Sequence, residues 1–288
     1  METPDEIVKS VTRLVSLPEI YLRLQELVNK PDASLRDFAS VVEKDPAITT
    51  RVLSIANSSF YGFPTKIDTV SRAVNIMGIA QLHDLILATS VMASFKGISA
   101  DIVDMAAYWR RSILCGLVAK ALAEKCRILD TERVFLEGLL HDIGHLVLYL
   151  ARFDSAREVM ETARAQSEPV YLIERLLLGF DYGELGAALM RAWKLPIGLQ
   201  EAAAFHIEPS KAQHFPLSAA IVHLAWRIAL TDETAEPTAP IPPVDSHALQ
   251  LTGLKEENVD AVLPQSRQSL QETLSLFMPS SMRRLHSA

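Results

Sequence analysis

Along the whole chain, apolar residues recur at intervals of three and four, and the strict alternation that a half-buried strand requires is nearly absent. That period admits helices and little else. After Asp45-Pro46, a good N-cap followed by a proline suited to the first helical turn, Ile48, Val52, Ile55 and Ala56 fall on one stripe. The spacing predicts a helix that stops near Asn57-Ser58-Ser59. Further on, Leu114, Leu117, Val118, Ala121 and Leu122 repeat the pattern with Lys120 and Glu124 opposite, which predicts an amphipathic helix with one face on the core. Turn signals at Lys30-Pro31-Asp32, Gly62-Phe63-Pro64, Gly78, Gly97, Glu168-Pro169, Gly179, Leu195-Pro196 and Glu208-Pro209 cut the rest into about a dozen helices. The expected fold class is all-α.

At 288 residues, with 49% hydrophobic and 22% charged positions, the chain can build a large core without disulfides or structural metal. Its net charge of -7, with no basic run longer than Arg110-Arg111 or Arg283-Arg284, disfavours a nucleic-acid partner. The first residues, Met1 to Glu6, are acidic where a secretory signal is basic. No apolar run is seen that approaches the roughly 20 residues needed to span a bilayer. The expectation is a cytoplasmic protein with no membrane partner. Cys115 and Cys126 fall in one helix about 16 Å apart, too far for a disulfide, and are expected to be reduced.

One segment concentrates groups able to do chemistry: Glu137-Gly138-Leu139-Leu140-His141-Asp142-Ile143-Gly144-His145-Leu146. A neutral imidazole and an adjacent carboxylate can both ligate a divalent metal, but two ligands do not make a site. Taken alone, His141 and Asp142 read as buried polar residues tied to backbone groups or to a cation. His141 and His145, four apart, resemble a zinc-peptidase pattern only superficially, because aspartate is shorter than the glutamate base required and no third ligand is signposted. A second dipeptide, His83-Asp84, lies among leucines and reads as a packed or half-exposed helix position. His206, His214 and His223 sit on separate stretches and read as ordinary polar positions unless the fold brings one beside His141.

An ordered set of motifs extends this reading. It comprises Leu17-Pro18, the Asp45-Pro46 helix running into Ala56-Asn57-Ser58-Ser59-Phe60-Tyr61-Gly62, Ile67 to Gly78, Tyr108-Trp109-Arg110-Arg111-Ser112, Gly138 to His145, Phe180 to Leu189, Trp193-Lys194-Leu195-Pro196 and Phe205-His206. In this order they resemble the HDOD family, the HD-related output domain of bacterial signalling proteins. The resemblance implies an HD-like helical bundle with an additional N-terminal helical subdomain. Its implied divisions are an N-terminal bundle over 1–97, an HD-like part over 98–230, a proline-rich and acidic loop over 231–245, and a C-terminal helical segment over 246–288 packing on the HD-like part.

HD phosphohydrolases hold metal with a distant histidine, the His-Asp pair and a further aspartate. Position by position, the resemblance carries over only His141 and Asp142. Arg111 stands where the first histidine is expected, Trp226 where the closing aspartate is, Tyr182 where many relatives have histidine, and Phe205 replaces the first of a His-His pair, leaving His206. A guanidinium offers no lone pair and repels a cation at ligand distance. The pocket of Arg111, His141, Asp142, Tyr182, His206 and Trp226 is therefore expected to keep the ancestral shape and lose its chemistry, with no cofactor and no turnover. Arg111 either fills the vacated space and pairs with Asp142 or is a solvated surface residue beside Arg110. Asn57, Phe60 and Tyr61 form a candidate interaction loop, although short polar residues there also serve helix ends. The implied function is that of a noncatalytic signalling regulator that binds other signalling proteins. Self-association would require an exposed apolar patch, and nucleotide sensing or metal-dependent hydrolysis are the alternatives.

Overall fold

The computed structural model describes residues 2–12, 14–95, 98, 101–232 and 240–278. Its helices, in order, are α1 (Pro4–Val11), α2 (Glu19–Val28), α3 (Leu35–Val42), α4 (Pro46–Ala56), α5 (Val70–Ser94), α6 (Met105–Lys125), α7 (Thr131–Leu140) and α8 (Ile143–Ala151). They continue with α9 (Phe153–Gln166), α10 (Val170–Leu178), α11 (Tyr182–Ala192), α12 (Ile197–Phe205), α13 (Pro216–Leu230), α14 (Ser246–Thr252), α15 (Glu256–Asp260) and α16 (Leu263–Phe277). A 3-10 turn over Pro209–Lys211 precedes α13. No strand occurs among the described residues, and the fold is all-α.

Helix ends follow local chemistry. Asp45 accepts from the backbone N–H groups of Ala47 (2.9 Å) and Ile48 (3.1 Å), Pro46 opens α4, and the helix stops at Ala56 as its sequence requires. Thr3 with Glu6, Ser34 with Asp37, and Asp181 with Glu184 form reciprocal capping boxes at α1, α3 and α11. Gly78 interrupts α5 with φ of 83°, a backbone conformation that side chains with a Cβ resist.

Two compact units emerge. The larger joins residues 1–15 to 97–268, and the smaller joins 16–96 to 269–288. This differs from the sequence division at 97 and 245. In the larger unit α1 packs on α8 and α11, which is why the first residues belong there, and Trp193 Nε1 donates to the Val15 carbonyl at 3.3 Å. α14 and α15 pack on α13, but the division places residues from 269 onward in the smaller unit. In that smaller unit α2, α3 and α4 pack on α5. His83 and Asp84 are buried there, with the Tyr21 ring 4.7 Å from the His83 ring. Residues 233–239 of the expected loop, Gly97, and residues 279–288 lie outside the described residues; 240–245 form no helix and lead to Asp245, the N-cap of α14.

Two expectations change. α6 lies between α7 and α13, and every residue from 112 to 119 is buried, so it is a core helix covered all round rather than an amphipathic one. Two stretches, Val70–Ser94 and Thr131–Ala151, have windows long and apolar enough to cross a membrane, with mean hydropathy 1.5 and 1.4. Scattered polar residues hide them from a search for unbroken apolar runs. The windows are 67% and 78% buried within the fold, and the stretches are broken at Gly78 and at His141-Asp142. Cys115 is buried and Cys126 half-buried, and both are free thiols; burial pushes the Cys115 thiol well above its ordinary pKa.

Candidate functional site

His141 and Asp142 stand at the joint between α7 and α8, not inside one helix. Gly144 explains how the joint is held. A Cβ there would lie 1.8 Å from the Tyr182 carbonyl oxygen and 2.7 Å from the Gly186 nitrogen, so α8 crosses α11 backbone against backbone. This crossing brings Tyr182, the first residue of α11, over the joint, where its ring stacks on His145 with centroids 4.0 Å apart and planes 19° from parallel.

His145 is the centre of the polar cluster. Its Nδ1–H donates to Asp142 Oδ1, and its Nε2 lies 3.2 Å from Glu174 Oε1. The other Glu174 oxygen accepts the Tyr182 backbone N–H at 2.9 Å. Burial opposes a charge on His145, but the Asp142 carboxylate, with Glu174 beyond it, outweighs burial and holds its pKa well above the ordinary imidazole value. Burial likewise pushes the Asp142 carboxyl upward, yet His145, with His141 and Arg111 behind it, brings it below the usual value. Glu174 is raised, because burial exceeds the help it receives from His145. The arrangement is an Asp142–His145 ion pair backed by a buried carboxyl.

His141, His206 and His223 are structural links. His141 Nδ1 donates to the Gly138 carbonyl (2.7 Å), and burial depresses its pKa. The fold does bring His206 beside it, edge to face with centroids 4.9 Å apart. His206 donates from Nδ1 to the Ala203 carbonyl (2.8 Å) and accepts the Tyr182 hydroxyl at Nε2 (2.8 Å), and burial lowers its pKa well below the ordinary value. His223 donates to the His206 carbonyl at 2.7 Å and accepts the Asp245 N–H at 3.0 Å. Trp226 packs edge-on against His206 at 5.2 Å. His214 belongs elsewhere: with the backbone N–H groups from Gln213 to Phe215 it binds Glu201.

Arg111 does not make the expected pair with Asp142. Among the described residues it forms no ion pair, because Asp142 is already held by His145, three residues along the same joint. Its neighbour Arg110 goes to Asp232 at 3.4 Å, which Arg267 also meets at 3.1 Å. Arg111 instead lines a cavity of about 100 Å³ with Tyr108, Asp142, His145, Tyr149 and Trp226. The sequence reading placed Arg111, His141, Asp142, Tyr182 and Trp226 in one pocket, and these five do line it; His206 contacts the pocket through Tyr182 and His141. It missed the pairing role of His145, although the offset of three from Asp142 on a helix start was a signal, and it missed Tyr108 and Glu174.

The donors present do not fit a divalent ion. Asp142 is turned to His145, His141 has one ring nitrogen committed to backbone, and a guanidinium shares the cavity. Among the described residues no three of His, Cys, Asp and Glu converge where a metal could be held.

The candidate interaction loop lies in the smaller unit. Asn57 is committed internally: its amide donates to the carbonyls of Leu53 (2.7 Å) and Ile67 (2.6 Å), and its oxygen accepts the Ile67 N–H (2.7 Å). Ser59 N–H donates to Glu272 at 3.0 Å, and Phe60 meets Phe277 edge to face at 6.1 Å. Phe60 and Tyr61 are half-buried.

Comparison with known proteins gives a consistent picture. The family description for the HDOD domain matches residues 14–209. A crystal structure of an HDOD domain protein with unknown function from Geobacter sulfurreducens superposes with a TM-score of 0.73 at 21% identity, covering 96% of this chain and 99% of that one. A protein from Shewanella amazonensis SB2B, provisionally named a phosphohydrolase, superposes with a TM-score of 0.72 at 23% identity, covering 94% and 98%. These are likenesses of fold. An uncharacterized protein of Treponema pallidum (strain Nichols) is 24% identical over 204 residues, which are 69% of this chain and 39% of that protein, so the match spans well under half of the relative's length.

Proposed function

We propose, from the premise that this chain belongs to the HDOD domain family, that it is a noncatalytic bacterial signal-transduction regulator working in the cytoplasm through binding to other proteins. Its HD-type site is degenerate. One observation carries the reading: the carboxylate that would hold a metal is neutralised by His145, and the unpaired Arg111 guanidinium occupies the same cavity. Activation of water by a metal needs a held ion with an open coordination position, and this donor set supplies neither. A nucleotide sensor is less well supported, since a cavity of about 100 Å³ is well below the roughly 300 Å³ at which ligand pockets begin.

The test is bound metal after purification from metal-rich medium, measured together with phosphate release from a panel of nucleotides and cyclic dinucleotides. Substoichiometric metal and no release are expected. Stoichiometric metal with steady hydrolysis overturns the reading.

A further inference from the structure

The cavity beside the joint contains a cation and a hydroxyl that the protein itself leaves unanswered. Arg111 forms no hydrogen bond or ion pair with any described residue. One turn earlier on α6, and so on the same face, Tyr108 is only 2% exposed, and its hydroxyl has no hydrogen-bond partner. The nearby Ser112 hydroxyl donates to the Tyr108 carbonyl at 3.1 Å, and its closeness to the phenol partly offsets the upward push of burial on the Tyr108 pKa. Tyr108 lines the cavity together with Arg111, Asp142 and Tyr149. A buried donor left unmade costs about 1–3 kcal/mol, and Tyr108 is such a donor, one turn from a half-buried Arg111 that has no ion-pair partner among the described residues.

We propose that this cavity binds a tetrahedral oxyanion of phosphate size, with Arg111 as the charged donor and Tyr108 as the neutral one. The inference rests on the reading of a metal-free site given above. A planar guanidinium fork matches two oxygens of phosphate, and a phenol O–H supplies a third bond. Charge agrees with this. Among the liners Asp142 and His145 pair with each other, burial lowers the pKa of His141, and Arg111 has no ion-pair partner among the described residues. Glu174 stands behind His145 with its oxygens turned to Nε2 and to the Tyr182 amide, and does not line the cavity. Size agrees too: about 100 Å³ is the share of about three waters, enough for a five-atom oxyanion and too little for a nucleoside.

Inorganic phosphate titrated into the chelator-treated full chain, read by thermal shift and by calorimetry at constant ionic strength, tests this. Phosphate is expected to raise the melting temperature as a ligand selective for the native state does. Arg111→Ala is expected to weaken binding by at least about tenfold, and Tyr108→Phe, which preserves shape, by several-fold. Adenosine monophosphate forms a second arm: a stronger Arg111-dependent response than to phosphate assigns the site to a phosphate ester, a weaker one to the free anion. No response at millimolar phosphate in metal-free protein, or a response that both variants leave unchanged, overturns this inference alone. Phosphate binding that vanishes with the chelator overturns it together with the metal-free reading.

Discussion

His145 holds Asp142 from three residues away, across the joint of α7 and α8, and in doing so takes the carboxylate away from Arg111. The two cations near Asp142 should therefore respond differently to removal. His145→Ala strands the Asp142 carboxylate, which is 14% exposed, together with Glu174, which is 1% exposed, and should cost about 3–5 kcal/mol. Arg111→Ala strands no ion-paired partner and should cost less than about 1 kcal/mol. Urea midpoints of the two variants check this. Equal losses would mean that Arg111, not His145, balances Asp142.

Tyr182 puts its hydroxyl to structural use, donating to His206 Nε2 at 2.8 Å in a fully buried setting. Tyr182→Phe keeps the ring on His145 and leaves the His206 acceptor unmade. The expected loss is about 1–3 kcal/mol. Denaturant titration gives the size, and an unchanged midpoint would show that Nε2 finds another donor.

What the sequence could reveal was local. Asp45-Pro46 declared the start of α4, Asn57 its end, and Gly78 a break, because caps, prolines and positive φ act within a few residues. The order of family motifs placed Arg111, His141, Asp142, Tyr182 and Trp226 in one pocket. What escaped depended on packing. Glu174, on α10, lies about thirty residues from His145 in sequence and meets it while also holding the Tyr182 amide, an approach that no spacing rule encodes. The expected Arg111–Asp142 pair rests on charge and on the place of Arg111 in the family pattern, and a nearer cation, His145, takes the carboxylate. α6 was read as two-faced because its charged ends, Lys120 and Glu124, masked a middle buried on every side.

Acid should destabilise the chain before its carboxylates titrate. His141, His206 and His223 all have pKa values lowered by burial, so below about pH 6.5 the unfolded chain takes up protons that the native one refuses. Stability then falls with pH, by up to about 1.4 kcal/mol per unit for each histidine. His145 acts in the opposite sense. Its raised pKa gives stability fully present below about 6.5 and lost only as pH rises through the native value, so it cannot offset the acid limb. Urea midpoints at pH 7 and pH 5 should differ clearly in favour of pH 7. A flat profile would mean that these imidazoles are charged in the native state.

Gly144 is the position where the joint tolerates least. A methyl there meets the Tyr182 carbonyl at 1.8 Å, whereas one at Gly186, on the facing helix, meets its nearest atom, the Gly144 nitrogen, at 3.2 Å. Backbone cannot rotate out of the way as a flexible side chain can, so Gly144→Ala must push α8 and α11 apart and disturb the Tyr182 stack on His145. The expected loss is about 3 kcal/mol or more, at or beyond the upper end for overpacking, against about 1 kcal/mol for Gly186→Ala. Thermal unfolding of both variants compares them directly. If Gly144→Ala melts within a few degrees of the parent, the two helices are not in backbone contact, and the account of how Tyr182 reaches the joint fails with it.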